Sequence, residues 1–134
     1  DLVVHGAVLT VEAPELPTLT EAAITTDSGL VMEDVVVGDG AEAMAGKPVS
    51  VEYAGFLEDG TLFDTSIGRA PFQFVLGTGA VITGWDEGVA GMKVGGRRIL
   101  KIPGDLAYGE MGFPPTIPAD ATLIFDVQLL QAGE

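Results

Sequence analysis

Apolar and polar positions alternate in four stretches of this chain. Val49, Val51 and Tyr53 alternate with Ser50 and Glu52, and Phe72 and Phe74 flank Gln73. Arg98, Leu100 and Ile102 fall on one side, with Ile99 and Lys101 on the other. Leu123, Phe125, Val127 and Leu129 share a face opposite Asp126 and Gln128. A period of two is the mark of a half-buried β-strand. Two apolar runs, Leu30-Val31-Met32 and Val35-Val36-Val37, predict further strand, closed by the turn residues Gly38-Asp39-Gly40. Asp59-Gly60 predicts a hairpin turn, because its backbone needs favour that pair.

One segment has a different period. Val81, Trp85, Val89 and Met92 recur every three to four residues, which places them on one helical stripe. Thr83 stands three residues before Asp86, the spacing of a capping box, with the acid near the positive helix end. Gly91 or Gly95-Gly96 is the expected stop, and Gly88 argues for a short helix. Several antiparallel strands with one helix on a face make an α+β architecture.

Residues 1–28 read as an acidic, Pro-containing extension or linker ahead of a body at 29–134. Leu2-Val3-Val4 and Val8-Leu9-Thr10-Val11 are short strand candidates. Pro14 and Pro17 exclude a helix there and restrict any strand to an edge. An extended arm with one edge strand and a disordered tail are equal readings of this stretch.

With 134 residues, one domain is expected. The net charge is −14, from 20 acidic and 6 basic residues. Binding to nucleic acid rests on Lys and Arg neutralising phosphate, so that partner is excluded, as is docking on an anionic membrane. The charge is uneven: residues 1–46 hold nine acids and no Lys or Arg. With no cysteine, neither a disulfide framework nor a thiol nucleophile is available. No apolar run approaches a membrane-spanning length.

Several chemistries fail on the residues. His5 is the only histidine and lies in the irregular arm, which leaves no good base for a Ser-His-Asp arrangement. Gly77-Thr78-Gly79 lacks the third glycine of a dinucleotide loop, and no phosphate-loop Gly-Lys-Ser/Thr occurs. Glu58-Asp59-Gly60 lacks the alternating oxygens of a calcium loop. The nine aromatics are Tyr53, Phe56, Phe63, Phe72, Phe74, Trp85, Tyr108, Phe113 and Phe125, mostly at strand ends or beside turns. Such a set either fills a core or builds a concave apolar pocket with a few polar tips.

The order of several blocks chooses between these. Gly55-Phe56-Leu57-Glu58-Asp59-Gly60-Thr61-Leu62-Phe63-Asp64 is followed by Pro71-Phe72-Gln73-Phe74 and then Leu76-Gly77. Val81-Ile82-Thr83-Gly84-Trp85-Asp86-Glu87-Gly88-Val89 and Met92-Lys93-Val94-Gly95-Gly96 come next. Ile102-Pro103, Leu106-Ala107-Tyr108-Gly109, Ile117-Pro118 and Ala121-Thr122-Leu123-Ile124-Phe125-Asp126-Val127 complete the series. In composition, order and spacing this resembles the FKBP-type peptidyl-prolyl cis–trans isomerases, from about Ser28 to Leu130.

The resemblance implies a twisted antiparallel sheet of five or six strands wrapped around the helix, with a pocket between them. It makes Tyr53, Phe63, Phe72, Val81, Phe125 and Ile117 the pocket walls and Trp85 the floor under a substrate proline. It makes Ile82 N–H and the Tyr108 hydroxyl donors to substrate carbonyls, and Asp64 the polar edge. The implied activity is rotation about X-Pro bonds in proteins, with a Pro-motif or macrolide-binding module or chaperone of little catalysis as the alternative. The implied partners are X-Pro peptides, unfolded proteins and macrolides of the tacrolimus and rapamycin type, and a monomer is expected. Rotation breaks no covalent bond, so no nucleophile, metal or cofactor is called for. It must overcome roughly 18–20 kcal/mol of amide resonance, and a dry pocket favours the twisted amide over the planar, hydrated one.

Two segments depart from the family pattern. Phe113-Pro114-Pro115 is bulkier and stiffer than the usual glycines, so Phe113 is expected to contact the residue before the substrate proline. Ser66 to Pro71 is short, and Arg69 within it is the candidate partner for Asp64. The acidic arm and the start at Asp1 suit a chain released from an N-terminal segment in a bacterial envelope or plastid lumen, with the cytoplasm as the alternative.

Overall fold

A computed structural model of the chain describes residues 17, 19–21, 23–66, 70–107, 117 and 120–132. Among the described residues, seven strands form one antiparallel sheet. They are β1 (Ile24–Thr25), β2 (Val31–Val36), β3 (Pro48–Leu57), β4 (Leu62–Thr65), β5 (Phe72–Val75), β6 (Arg97–Ile102) and β7 (Leu123–Ala132). The order is β1-β2-β6-β7-β3-β4, with β5 beside β4 on the same edge of β3. Among the described residues one α-helix, α1 (Thr83–Gly88), joins the β5 side to β6, and a 3-10 turn at Gly104–Leu106 follows β6. The α+β architecture is therefore as expected. The strand number exceeds five or six because two-residue β1 adds an edge and β4 and β5 pair separately with β3.

The alternation explains the register. Val49 and Val51 point to the helix side of β3, and Val127 and Leu129 do so on β7. Leu100 and Ile102 of β6 join them beneath α1, together with Trp85, Val89 and Met92. The stripe thus packs on one core, with Trp85, Val89 and Met92 buried and Val81 partly so, although only its middle is helical. Gly84 and Gly88 set how close the helix lies. A Cβ at Gly84 would come within 2.5 Å of Ile102, and one at Gly88 within 2.7 Å of Leu100. The glycines that shorten the helix are what let it touch the sheet.

The capping-box reading of Thr83 and Asp86 is overturned. Ile82, in an extended conformation, occupies the N-cap position, and no side chain caps the helix. The Asp86 carboxylate turns instead to the preceding loop and accepts Gly77 N–H at 2.8 Å and Gly79 N–H at 2.9 Å. At the other end, Arg98 Nη1 donates to the Gly88 carbonyl, an orphan acceptor of the helix terminus, and to that of Ala90 just beyond it, while its Nε bonds Asp34.

The hairpin forms where Asp59-Gly60 predicts it. Leu57 N–H bonds Thr61 O, Gly60 adopts φ +95°, and the Asp59 carboxylate accepts Thr61 N–H. The Thr61 side chain and backbone hold the Asp59 carboxyl below its ordinary pKa. Of the two apolar runs, Val31-Met32 of the first and Val35-Val36 of the second merge into β2, across Glu33 and Asp34. The strand candidates at Leu2–Val4 and Val8–Val11 lie outside the described residues.

On the face away from α1, Arg97 and Asp126 form a bidentate pair, Nε to Oδ1 at 2.8 Å and Nη2 to Oδ2 at 2.5 Å. Asp126 is 4% exposed, and its hydrogen bonds raise the Arg97 pKa above the usual value. A buried carboxylate demands such a partner, since desolvation without one costs several kcal/mol.

Candidate functional site

Between α1 and the sheet lies a cavity of about 240 Å³. Tyr53, Phe63, Asp64, Phe72, Ala80, Val81, Ile82, Trp85 and Phe125 line it. Of the residues nominated from sequence, eight meet there. Ile117 is buried in the adjoining core with Trp85 and Phe125. Tyr108 and Phe113 lie outside the described residues, as does Arg69. Ala80, which carried no chemical signal in the sequence, completes the wall.

Trp85 is the centre of the aromatic packing. Its ring meets Tyr53 at 5.0 Å, Phe125 at 5.2 Å and Phe72 at 5.9 Å, each edge to face. Phe74 supports Phe72 from behind, stacked at 5.5 Å. Edge-to-face pairs each contribute about 0.5–1.5 kcal/mol beyond area burial, so this cage resists rearrangement. The Trp85 indole N–H is buried and has no hydrogen-bond partner among the described residues. Such an orphaned donor costs about 1–3 kcal/mol. Phe72, 39% exposed, forms the rim.

Gly55 makes the far wall possible. It is paired in register with Phe125 and Asp64, and a Cβ there would lie 2.6 Å from the Phe125 ring and 2.9 Å from Phe63. Without a side chain at that position, Phe63 packs edge to face on Phe125 at 5.6 Å. The sequence carried a faint signal for this: a glycine at an inward position of an otherwise apolar-inward strand.

Asp64 is fixed on both oxygens. Tyr53 Oη donates to Oδ2 at 2.6 Å, and Thr65 N–H donates to Oδ1 at 2.9 Å. Tyr53 is itself held by its backbone in the gap between β4 and β5. Its N–H bonds Ser66 Oγ, and its carbonyl accepts Thr65 Oγ–H and Ser66 N–H. Ser66 Oγ in turn donates to Glu52. These hydroxyls position the site but were missed, because only the fold brings them to Tyr53.

Ile82 closes the opposite side. Its carbonyl accepts Trp85 N–H and Asp86 N–H, whereas its own N–H pairs with none of the described residues. Asp86 braces the loop that leads into it, as described above. Among the described residues, the cavity offers a hydrophobic cup, the Asp64 carboxylate and the unpaired Ile82 N–H. No group of three or more His, Cys, Asp or Glu side chains suited to a metal occurs among the described residues.

Comparison with known proteins agrees with this geometry. A family model described as FKBP-type peptidyl-prolyl cis-trans isomerase matches residues 40–130. The chain is 54% identical over 115 residues to FK506-binding protein 4 of Dictyostelium discoideum, covering 86% of this chain and 31% of that protein. It is 51% identical over 107 residues to an FK506-binding protein of Neisseria meningitidis serogroup B, covering 79% of this chain and 98% of that one. It therefore spans about a third of the first relative and nearly all of the second. Among solved structures, FkpA from Escherichia coli superposes with a TM-score of 0.79 at 42% identity, covering 85% of this chain and 53% of that one. AtFKBP13 superposes at 0.78 with 38% identity, covering 83% and 98%. The sheet wrapped on a short helix, the cavity under β3 and β7 and the matched span lead to one conclusion: this chain belongs to the FKBP-type peptidyl-prolyl cis-trans isomerase family.

Proposed function

We propose that this chain is a peptidyl-prolyl cis–trans isomerase that rotates X-Pro bonds in peptides and unfolded proteins without covalent chemistry. The observation that carries the reading is the cavity itself: an aromatic cup of about 240 Å³ whose ionisable groups, among the described residues, are Asp64 and the Tyr53 phenol. A proline ring seats on Trp85, walled by Tyr53, Phe63, Phe72, Val81 and Phe125, with Ile117 behind. The prolyl amide, desolvated there, loses the hydration that favours its planar, polar form. Ile82 N–H, unpaired among the described residues, donates to a substrate carbonyl. In this reading Tyr108 O–H is a second donor, and Phe113 touches the residue before proline.

Asp64 acts as an acceptor and not as a base, because no proton moves. Tyr53 O–H and Thr65 N–H already orient it. Each tenfold acceleration needs about 1.4 kcal/mol of stabilisation specific to the twisted state. Two hydrogen bonds and a dry cup supply several such factors. The same cup is the site for macrolides of the tacrolimus and rapamycin type, in keeping with the names of the relatives.

A protease-coupled assay on an X-Pro tetrapeptide, run beside thermal melts with and without macrolide, tests the reading. Acceleration above the uncatalysed rate, with a melting temperature raised by the macrolide, is expected. Macrolide protection without acceleration would reduce the chain to a binding module. Neither effect in a folded protein would remove the site altogether.

A further inference from the structure

The family match begins at residue 40, yet the chain upstream of Gly29 is fastened to the sheet. We propose that residues 19–21 and 23–28 form a strap that covers an apolar patch on the outer face of the sheet and belongs to the folded unit, with Leu19 as its anchor.

The patch consists of Ala54, Phe56, Ile99 and Ile124, from three adjacent strands. All four point away from α1, in register with one another or with Asp126 and Lys101. All are buried, Phe56 to 1% exposure, although they lie on the side opposite the main core. An outward apolar cluster needs a cover, and Leu19 packs against it.

The next residue clasps the sheet. Thr20 N–H donates to Glu33 Oε1 and Thr20 Oγ–H to Oε2, each at 2.7 Å. Glu33 sits opposite Ile99 in the β2–β6 register, so the clasp stands at the edge of the patch. Residues 1–46 hold no Lys or Arg, and a hydroxyl and an amide supply the donors that a cation supplies elsewhere. Further along, Ile24 and Thr25 pair with Met32 and Val31 as β1. Thr26 N–H bonds Leu30 O at 2.8 Å, and Gly29 N–H returns to Thr26 O. Ser28 Oγ–H then reaches the Glu87 carboxylate on α1. The segment is held at the outer face, at the sheet edge and at the helix. The occupant of the patch is the chain's own strap.

The test uses the full chain. Leu19→Ala and Leu19→Asp are compared with the parent by thermal melting, and amide exchange of Thr26 is followed in the unsubstituted protein. The strap predicts a melting temperature lower by about 4 °C for Leu19→Ala and by more for Leu19→Asp. It also predicts a Thr26 amide that exchanges at least about 100-fold more slowly than in an unfolded peptide. A melting temperature for Leu19→Ala within about 1 °C of the parent overturns the proposal. So does a Thr26 amide exchanging at the unfolded rate, which decides the matter even if Leu19→Asp fails to fold.

Discussion

Replacing Tyr53 by Phe tests what the Tyr53 hydroxyl does for Asp64 in the cavity. The ring stays, and with it the edge-to-face packing on Trp85 at 5.0 Å and on Phe72 at 6.1 Å. What goes is the hydroxyl that donates to Asp64 Oδ2 at 2.6 Å. A hydrogen bond to a charged group contributes about 1.5–3 kcal/mol when shielded. Here both side chains are only half-buried at an open cavity, so water replaces the hydroxyl and the net loss falls to about 1 kcal/mol. If Asp64 serves by being fixed, that loss appears in the transition state, where about 1 kcal/mol is a fivefold fall in kcat/KM. Coupled-protease kinetics on an X-Pro tetrapeptide measure it, beside a thermal melt. Adding Asp64→Asn to Tyr53→Phe should then lower kcat/KM little beyond Asp64→Asn alone, since the pair acts through one carboxylate. Full additivity of the two changes, or a Tyr53→Phe protein of parental kcat/KM, would refute the idea that Tyr53 works by holding Asp64.

Other sites give sharper contrasts between stability and function. Arg97→Met strands Asp126 and should cost about 3 kcal/mol in urea unfolding, with most of it regained in Arg97→Met/Asp126→Leu and kcat/KM unchanged, because the pair lies on the outer face. Gly55→Ala should cost about 1–3 kcal/mol through overpacking, and should lower kcat/KM as well, because the new methyl displaces Phe63 and Phe125. Asp86→Ala frees the amides of Gly77 and Gly79 and should raise KM several-fold while moving the melting temperature little, as the loop is exposed. The Asp59 carboxyl, held by the Thr61 side chain and backbone, titrates below the ordinary aspartate value of 3.8. Its contribution to the hairpin is therefore complete above that pH and fades only as pH falls through the lowered pKa, so the Thr61 amide shift should show a midpoint under 3.8.

The sequence showed the long strands and most of the site for one physical reason. In β3, β6 and β7 each side chain's face follows from its own position, and the partner strands repeat the same period. The cavity residues were legible through the ordered motif blocks that surround them, and eight of them do meet. What was not legible depends on partners distant in the chain. Glu33 and Asp34 read locally as a break between two apolar runs. They lie instead within β2, because Thr20 satisfies the first and Arg98, 64 residues away, the second. Once a carboxylate has such partners, a strand carries it at no great cost, and hydropathy alone cannot see them.

Thr83 and Asp86 carry the same lesson in the other direction. Their spacing fits a capping box, but a cap forms only if the acid has nothing better to bind. The loop before the helix offers the N–H groups of Gly77 and Gly79, both with positive φ, and both converge on one carboxylate. Two amides held in a fixed loop outcompete a single first-turn contact that must reorganise the chain to form. The acid is thereby diverted from finishing the helix to bracing the segment that carries Ala80, Val81 and Ile82 into the cavity. A local motif fails here because the site claims its residue, and such failures are worth reading as pointers to function.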